Sequence, residues 1–337
     1  MVNYILTAAL LLTSVVLMAK KSLGSINSNK RKELRPVLGK TVVIIGASSG
    51  IGKEIALRFA REGANLLLVA RRVKELEDVR LMCQNAAASG ERNNRLNAKI
   101  RLVFGDVTER VVQLQIVSDC IEHFGSIDFL VLNAGIISVK PVVELLENPT
   151  QLEPGSVEAL NNIESLETAL NRTMSVNFHA PVHLGCLFLP HLLASKGSIV
   201  VVSSMAGMLA APTRSLYAAS KHALNGFFNS LRMEVEKDGV SITIANPGTV
   251  DTDLRSSAVD VQSSASGNTP KMPGASHVKL AKKSVLSPQY AAEKVFDAAI
   301  RSVECVNFPF IYQLSIYLNA ICPSLVEYLA KKKYGFL

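Results

Sequence analysis

Between residues 41 and 245, short apolar runs alternate with segments of helical period. Strands are predicted at Thr41–Ile45, Asn65–Val69, Ile100–Phe104, Ile127–Leu132, Ser198–Val202 and Val240–Ala245. Helices are predicted at 51–62, about 73–88, about 109–124 and about 215–237. Strands that are apolar throughout and separated by helices belong in a parallel sheet covered on both faces, so the pattern predicts a single doubly wound α/β fold. Two stretches break the rhythm. Residues 145–165, with Pro149, Pro154 and Gly155, read as a surface insertion. Residues 255–288 are rich in Ser, Gly and Pro and read either as a lid over a site or as a mobile surface loop.

Both ends carry apolar segments of another kind. Val2–Ala19 contains no charged side chain; at about 1.5 Å per residue its length approaches the hydrocarbon thickness of a bilayer. A cleaved signal peptide would place positive charge before the run, whereas Lys20 and Lys21 follow it, so an uncleaved transmembrane anchor at 1–19 is the expectation. Positive charge stays on the cytoplasmic side. The chain is therefore expected to cross the membrane once, with its body in the cytosol. At the other end Ile311, Leu314, Leu318, Ile321, Leu325 and Leu329 recur at helical spacing, with Pro323 placed to kink or divide the helix. That stripe fits a membrane-surface element, a core-covering helix or a homodimer contact equally.

Charge sharpens this picture. The formal net charge is +8, but residues 20–40 hold +6 of it and Lys331–Lys333 another +3, which leaves −1 for residues 41–330. A nucleic-acid groove needs basic residues spread over a folded face, and the body has no such excess. Residues 20–40 are a basic linker, 41–304 the main domain and 305–337 an apolar extension. The five cysteines form no CxxC pair and no metal-ligand spacing, so no metal is expected.

Candidate chemistry gathers at the strand ends. Gly46-Ala47-Ser48-Ser49-Gly50-Ile51-Gly52 joins the first strand to the first helix. Glycines there let the backbone approach a pyrophosphate, which the helix N-terminus attracts. The second strand ends Val69-Ala70-Arg71-Arg72, where an NAD site would carry an acid for the ribose hydroxyl. Guanidinium suits a 2′-phosphate instead, so NADP(H) is favoured, with helix-capping arginines as the plainer alternative. Tyr217 and Lys221 lie four residues apart and share a helix face. A nearby ammonium favours phenolate, which makes tyrosine a usable proton exchanger.

Gly46-x3-Gly50-x-Gly52, Asn133-Ala134-Gly135, Ser204, Tyr217-x3-Lys221 and Pro247-Gly248 together resemble the short-chain dehydrogenase/reductase family, in its order. The likeness is greatest to its membrane-anchored 11β-hydroxysteroid dehydrogenase and retinoid/steroid reductase members, through Val200–Gly207 and Tyr217–Phe228. The resemblance implies a Rossmann-type sheet and assigns roles. Tyr217 would exchange the proton, Lys221 would hold the nicotinamide ribose, and Ser204, rather than Ser203, would bind the substrate oxygen. Asn177 would support a proton relay. Gly46, Ser48, Ser49, Gly50, Ile51 and Gly52 would cradle the phosphates, with Arg71 and Arg72 at the 2′ position. Asp106 and Val107 would meet adenine, Asn133, Ala134 and Gly135 would form the floor, and Pro247, Gly248, Val250 and Thr252 would reach the nicotinamide end. Ile45 departs from the family's usual threonine, and the interval between Asn133 and Asn177 is long.

The expected activity is hydride transfer between NADP(H) and a lipophilic ketone or alcohol at the endoplasmic reticulum membrane. A 3-ketosphinganine-type reductase is the alternative within the class. A cofactor-binding scaffold or redox sensor without turnover is the alternative outside it.

Overall fold

The computed structural model describes residues 34–88, 98–146, 163–254, 258–260 and 285–337. Seven parallel strands form one sheet in the order β3-β2-β1-β4-β5-β6-β7. They are β1 (Thr41–Ile45), β2 (Asn65–Ala70), β3 (Ile100–Phe104), β4 (Phe129–Leu132), β5 (Ser198–Val202), β6 (Ser241–Pro247) and β7 (Cys305–Phe308). The helices between them are α1 (Gly50–Arg61), α2 (Val73–Ala88), α3 (Arg110–Phe124), α4 (Glu164–Met174), α5 (Ala180–Ser195), α6 (Ser215–Val235) and α7 (Pro288–Ile300). Two more, α8 (Phe310–Ile321) and α9 (Pro323–Tyr334), follow the sheet.

Both faces of the sheet are sealed, as uniformly apolar strands require. Val42, Ile44, Leu66, Leu68, Val131 and Val200 face α1, α2 and α7, where Ile55, Phe59, Leu76 and Phe296 complete one core. The alternate residues Val43, Ile45, Leu67, Val69, Leu130 and Val201 face α3, α5 and α6 and pack with Ile116, Leu184, Phe188 and Phe228. The period of two along each strand thus feeds two cores at once.

Strand order reverses between β1 and β4, which opens a crevice at the carboxyl ends of these strands. The doubly wound sheet matches expectation; β7, α5 and α7 were not foreseen. The proposed anchor at 2–19, most of the 145–165 insertion and most of the 255–288 loop lie outside the described residues. Among the described residues, no helix is long and apolar enough to cross a membrane.

Pro323 divides the C-terminal stripe, since α8 ends at Ile321 and α9 begins at Pro323. No residue of either helix is fully buried, although Tyr312 and Leu318 face the cleft.

Candidate active site

The crevice is a cleft of about 630 Å³ running from the β1–α1 turn to the C-terminal helices. At the turn, Gly46 and Gly50 have φ of +85° and +55°, the left-handed region that favours glycine. A Cβ on Gly46 would sit 2.8 Å from the Ala134 backbone, and one on Gly52 would sit 2.1 Å from the Gly46 carbonyl oxygen. Gly52 therefore does not line the cleft; it lets α1 close onto the turn. The first N–H groups of α1 lack partners within the helix, and they make this edge a place for phosphate.

The arginines after β2 take different positions. Arg72 lies across the turn and donates to the Ser48 hydroxyl at 3.0 Å and to the Ser49 hydroxyl at 2.5 Å. Arg71 pairs instead with Asp106 at 3.3 Å. Burial pushes the Asp106 carboxyl up, but the Thr108 amide and hydroxyl and Arg71 outweigh it, and the net direction is downward. Val107 lies beside Asp106 on the same wall.

The floor comes from the segment after β4. Asn133 Nδ2 donates to the Gly46 carbonyl at 2.9 Å, which ties this segment to the glycine turn. Ala134 packs against Gly46. A Cβ on Gly135 would lie 3.4 Å from Asn177 Oδ1 and 3.7 Å from Lys221 Nζ, so a bare backbone lets both groups come close. Asn177 occupies a π-helical turn, Ser175–His179, between α4 and α5. Its side chain accepts from the Ile136 amide at 2.8 Å and donates to the Ile136 carbonyl and the Ser220 hydroxyl, each at 2.9 Å. Asn177 thus braces the floor from behind and does not itself line the cleft.

Ser204, Tyr217 and Lys221 converge on the opposite wall. Ser204 ends the β5 loop and accepts from the Ala206 amide at 3.1 Å, capping a single 3₁₀ turn while its hydroxyl remains on the cleft. Tyr217 and Lys221 stand one turn apart on α6 and are both buried. The Lys221 ammonium lies 5.9 Å from the Tyr217 ring centroid and donates to the Val202 carbonyl at 3.2 Å. Burial lowers its pKa to about 8. The neighbouring Ser203 hydroxyl is buried and has no hydrogen-bond partner among the described residues. Asp260 ties the 258–260 segment to the segment after β4: its Oδ2 accepts from Ser138 Oγ and from the amides of Val139 and Lys140, each at 2.8 Å.

Pro247, Gly248, Val250 and Thr252 line the cleft beyond β6. Val250 bridges to Leu286, which pins the strand exit. The far wall was not read from the sequence as part of a site: Tyr312, Ser315, Leu318, Leu329 and Lys333 of α8 and α9 all face the cleft. Only the periodic leucines had signalled that these helices cover something. Arg214, which donates to the Val139 carbonyl at 3.3 Å, also lies on this wall without a sequence signal.

The arrangement can hold an elongated, phosphate-bearing molecule along the glycine turn and place a carbonyl against a phenol, a hydroxyl and a buried ammonium. Its glycine cradle, its cationic outer end and the orphaned Ser203 hydroxyl all fit a dinucleotide. Among the described residues, no cluster could hold a metal ion.

The profile of the short chain dehydrogenase family matches residues 40–262. The chain is 35% identical over 226 residues to 11-beta-hydroxysteroid dehydrogenase-like 2 of Arabidopsis thaliana, a match covering 67% of this chain and 64% of that protein. It is 30% identical over 299 residues to 11-beta-hydroxysteroid dehydrogenase A of Sesamum indicum, covering 88% and 76% respectively. Among solved structures, a short-chain dehydrogenase/reductase of unknown function from Caenorhabditis elegans, determined with its cofactor, superposes with a TM-score of 0.59 at 28% identity and covers 81% of this chain and 95% of its own. An alcohol dehydrogenase from Thermococcus sibiricus complexed with 5-hydroxy-NADP shares the fold at a TM-score of 0.59 and 24% identity, covering 80% and 94%.

Proposed function

The chain belongs to the short chain dehydrogenase family, and on that premise we propose that it is a membrane-anchored, NADP(H)-dependent oxidoreductase acting on a lipophilic ketone or alcohol. The observation that carries the reading is the meeting of Ser204, Tyr217 and Lys221 on one cleft with the glycine turn.

When bound, the reduced nicotinamide supplies the hydride. In the reduction direction the Tyr217 phenol gives its proton to the carbonyl oxygen as the hydride reaches the carbonyl carbon, leaving an alcohol and a tyrosinate. The Lys221 ammonium, held in a low-dielectric site, stabilises that tyrosinate. Ser204 orients the carbonyl oxygen by donating a hydrogen bond to it. Asn177 fixes the floor behind Gly135, and the tyrosinate recovers its proton from water by way of Lys221, which passes its proton on and is itself reprotonated from solvent. Oxidation runs through the same groups in reverse.

NADP(H) is preferred to NAD(H) because Arg72 lies over the turn and Arg71 stands beside it, with no acid at the end of β2. The uncharged run at 2–19, followed by a basic linker, supports a single-pass anchor with the body in the cytosol, at the endoplasmic reticulum. An anchor keeps the enzyme at the pool of an oily substrate, and the apolar Leu318 and Leu329 on the far wall suit such a molecule.

The test is purified full-length protein in detergent with NADPH and a panel of steroid, retinoid and sphingoid ketones beside small polar carbonyls. Oxidation of NADPH with the lipids is expected. Turnover confined to the polar compounds would defeat the lipid assignment, and no turnover with any carbonyl would favour a non-catalytic scaffold. Glycan attachment at the Asn171-Arg172-Thr173 sequon in cells would reverse the assigned topology.

A further inference from the structure

Behind the cleft, four side-chain amides join the turn bearing Ser204 to the C-terminal helices. Asn225 Nδ2 donates to the Gly207 carbonyl at 3.0 Å and to Asn246 Oδ1 at 3.2 Å. Asn246 Nδ2 donates to Asn307 Oδ1 at 2.9 Å, and Asn307 Nδ2 to Gln313 Oε1 at 2.9 Å. Gln313 Nε2 then donates to the Tyr317 hydroxyl at 3.1 Å. At the other end the Gly207 amide donates to the Ser204 carbonyl at 2.8 Å, so the chain of bonds reaches the residue that meets the substrate oxygen.

Three features give this chain more than a packing role. Asn246 is 0% exposed and Asn225 is 4% exposed, positions where an apolar side chain would avoid the desolvation of an amide. Every amide-to-amide link points the same way, so each bond polarises the next. The route also crosses elements far apart in sequence: α6, β6, β7 and α8. Asn246 and Asn307 face each other in the parallel register of β6 and β7, which makes the sheet edge itself the middle of the chain. None of these amides lines the cleft, yet Tyr312, Ser315 and Leu318, on the same helix as Gln313 and Tyr317, do.

We propose that Asn225, Asn246, Asn307 and Gln313 are positioning residues: they hold the far wall of the cleft in register with the Ser204 turn, so that a substrate seated on α8 presents its carbonyl to Tyr217. The inference rests on the reading of this cleft as the carbonyl site. Among the described residues, none of these amides bonds to the β1–α1 turn, so the phosphate end of the cofactor, where most of its affinity is expected to reside, is held separately from the chain.

Gln313→Leu tests the outer end, at a partly exposed position, and Asn225→Ala the inner end. Gln313→Leu is expected to raise KM for the carbonyl substrate about 5–20-fold, the effect of one lost hydrogen bond, and to leave the Kd for NADPH and the thermal midpoint unchanged. Gln313→Glu, which keeps the acceptor for Asn307, should restore KM toward the parent value. In kcat/KM the Asn225→Ala and Gln313→Leu effects should be non-additive. Hydrogen exchange on the cofactor-free protein should show faster exchange at residues 205–209 in Gln313→Leu. Additive effects with unchanged exchange overturn the proposal, as does a loss of NADPH affinity in step with KM. The exchange result needs no substrate and stands even if no carbonyl is reduced, in which case it is the functional reading that fails.

Discussion

The Tyr312 ring occupies the space that a side chain on Gly248 would need: a Cβ there would come within 2.4 Å of Tyr312 Cε2. The glycine after β6 therefore seats α8 against the mouth of the cleft. Gly248→Ala is expected to cost about 1–3 kcal/mol of stability by overpacking and to raise substrate KM as α8 shifts. Gly248→Ala with Tyr312→Ala should recover the stability but not KM. Thermal unfolding and steady-state kinetics on the three variants check this, and an undisturbed single variant would show that α8 seats elsewhere.

Tyr217→Phe removes one hydroxyl from a buried ring. Turnover should fall about 10²–10⁴-fold, the usual contribution of a positioned acid or base. NADPH binding, measured by fluorescence of the reduced cofactor, should remain. A variant with normal kcat would exclude Tyr217 as the proton donor.

Lys221 gives a pH signature in stability. Its folded-state pKa is lowered from 10.5 to about 8, so between these values the unfolded chain binds more protons and stability rises with pH. Below about pH 8 the burial penalty is present in full, on the order of 3 kcal/mol. Lys221→Met should therefore abolish turnover while raising the unfolding midpoint of the cofactor-free protein at pH 7. By pH 10.5 the difference should have largely closed; a gap independent of pH would assign it to packing alone.

The two arginines after β2 should separate. Arg72→Ala should weaken NADPH about 10–100-fold, as expected for a charge-assisted contact, and NADH little. Arg71→Asp places a carboxylate beside Asp106 and should also weaken NADPH far more than NADH. Calorimetric titration with both nucleotides decides, and equal losses for the two would remove the arginines from 2′-phosphate recognition.

What the sequence disclosed followed from how strongly each element was committed. β1, β3 and β5 could be bounded to the residue because their apolar runs end at glycines or polar turns. β7 could not: Cys305–Phe308 is four residues long, lies at the sheet edge and contains Asn307, whose partner Asn246 is distant in sequence. α7 did carry a signal that went unread, Ser287 before Pro288, and Ser287 Oγ does cap the Tyr290 amide at 3.1 Å. At the site, the spacing of Tyr217 and Lys221 was legible because one helix carries both. The engagement of Arg71 by Asp106, and of Asn177 by Ile136 and Ser220, was not, because each depends on loops brought together only by folding.

The helices α8 and α9 furnish a wall of the cleft yet contribute no buried residue. Shape selection and structural integrity are thereby divided between separate stretches of polypeptide. So long as Tyr312 and Gln313 keep their seats on Gly248 and Asn307, the remaining cleft-facing positions after Pro309 can be rewritten to admit a different guest without rebuilding the sheet.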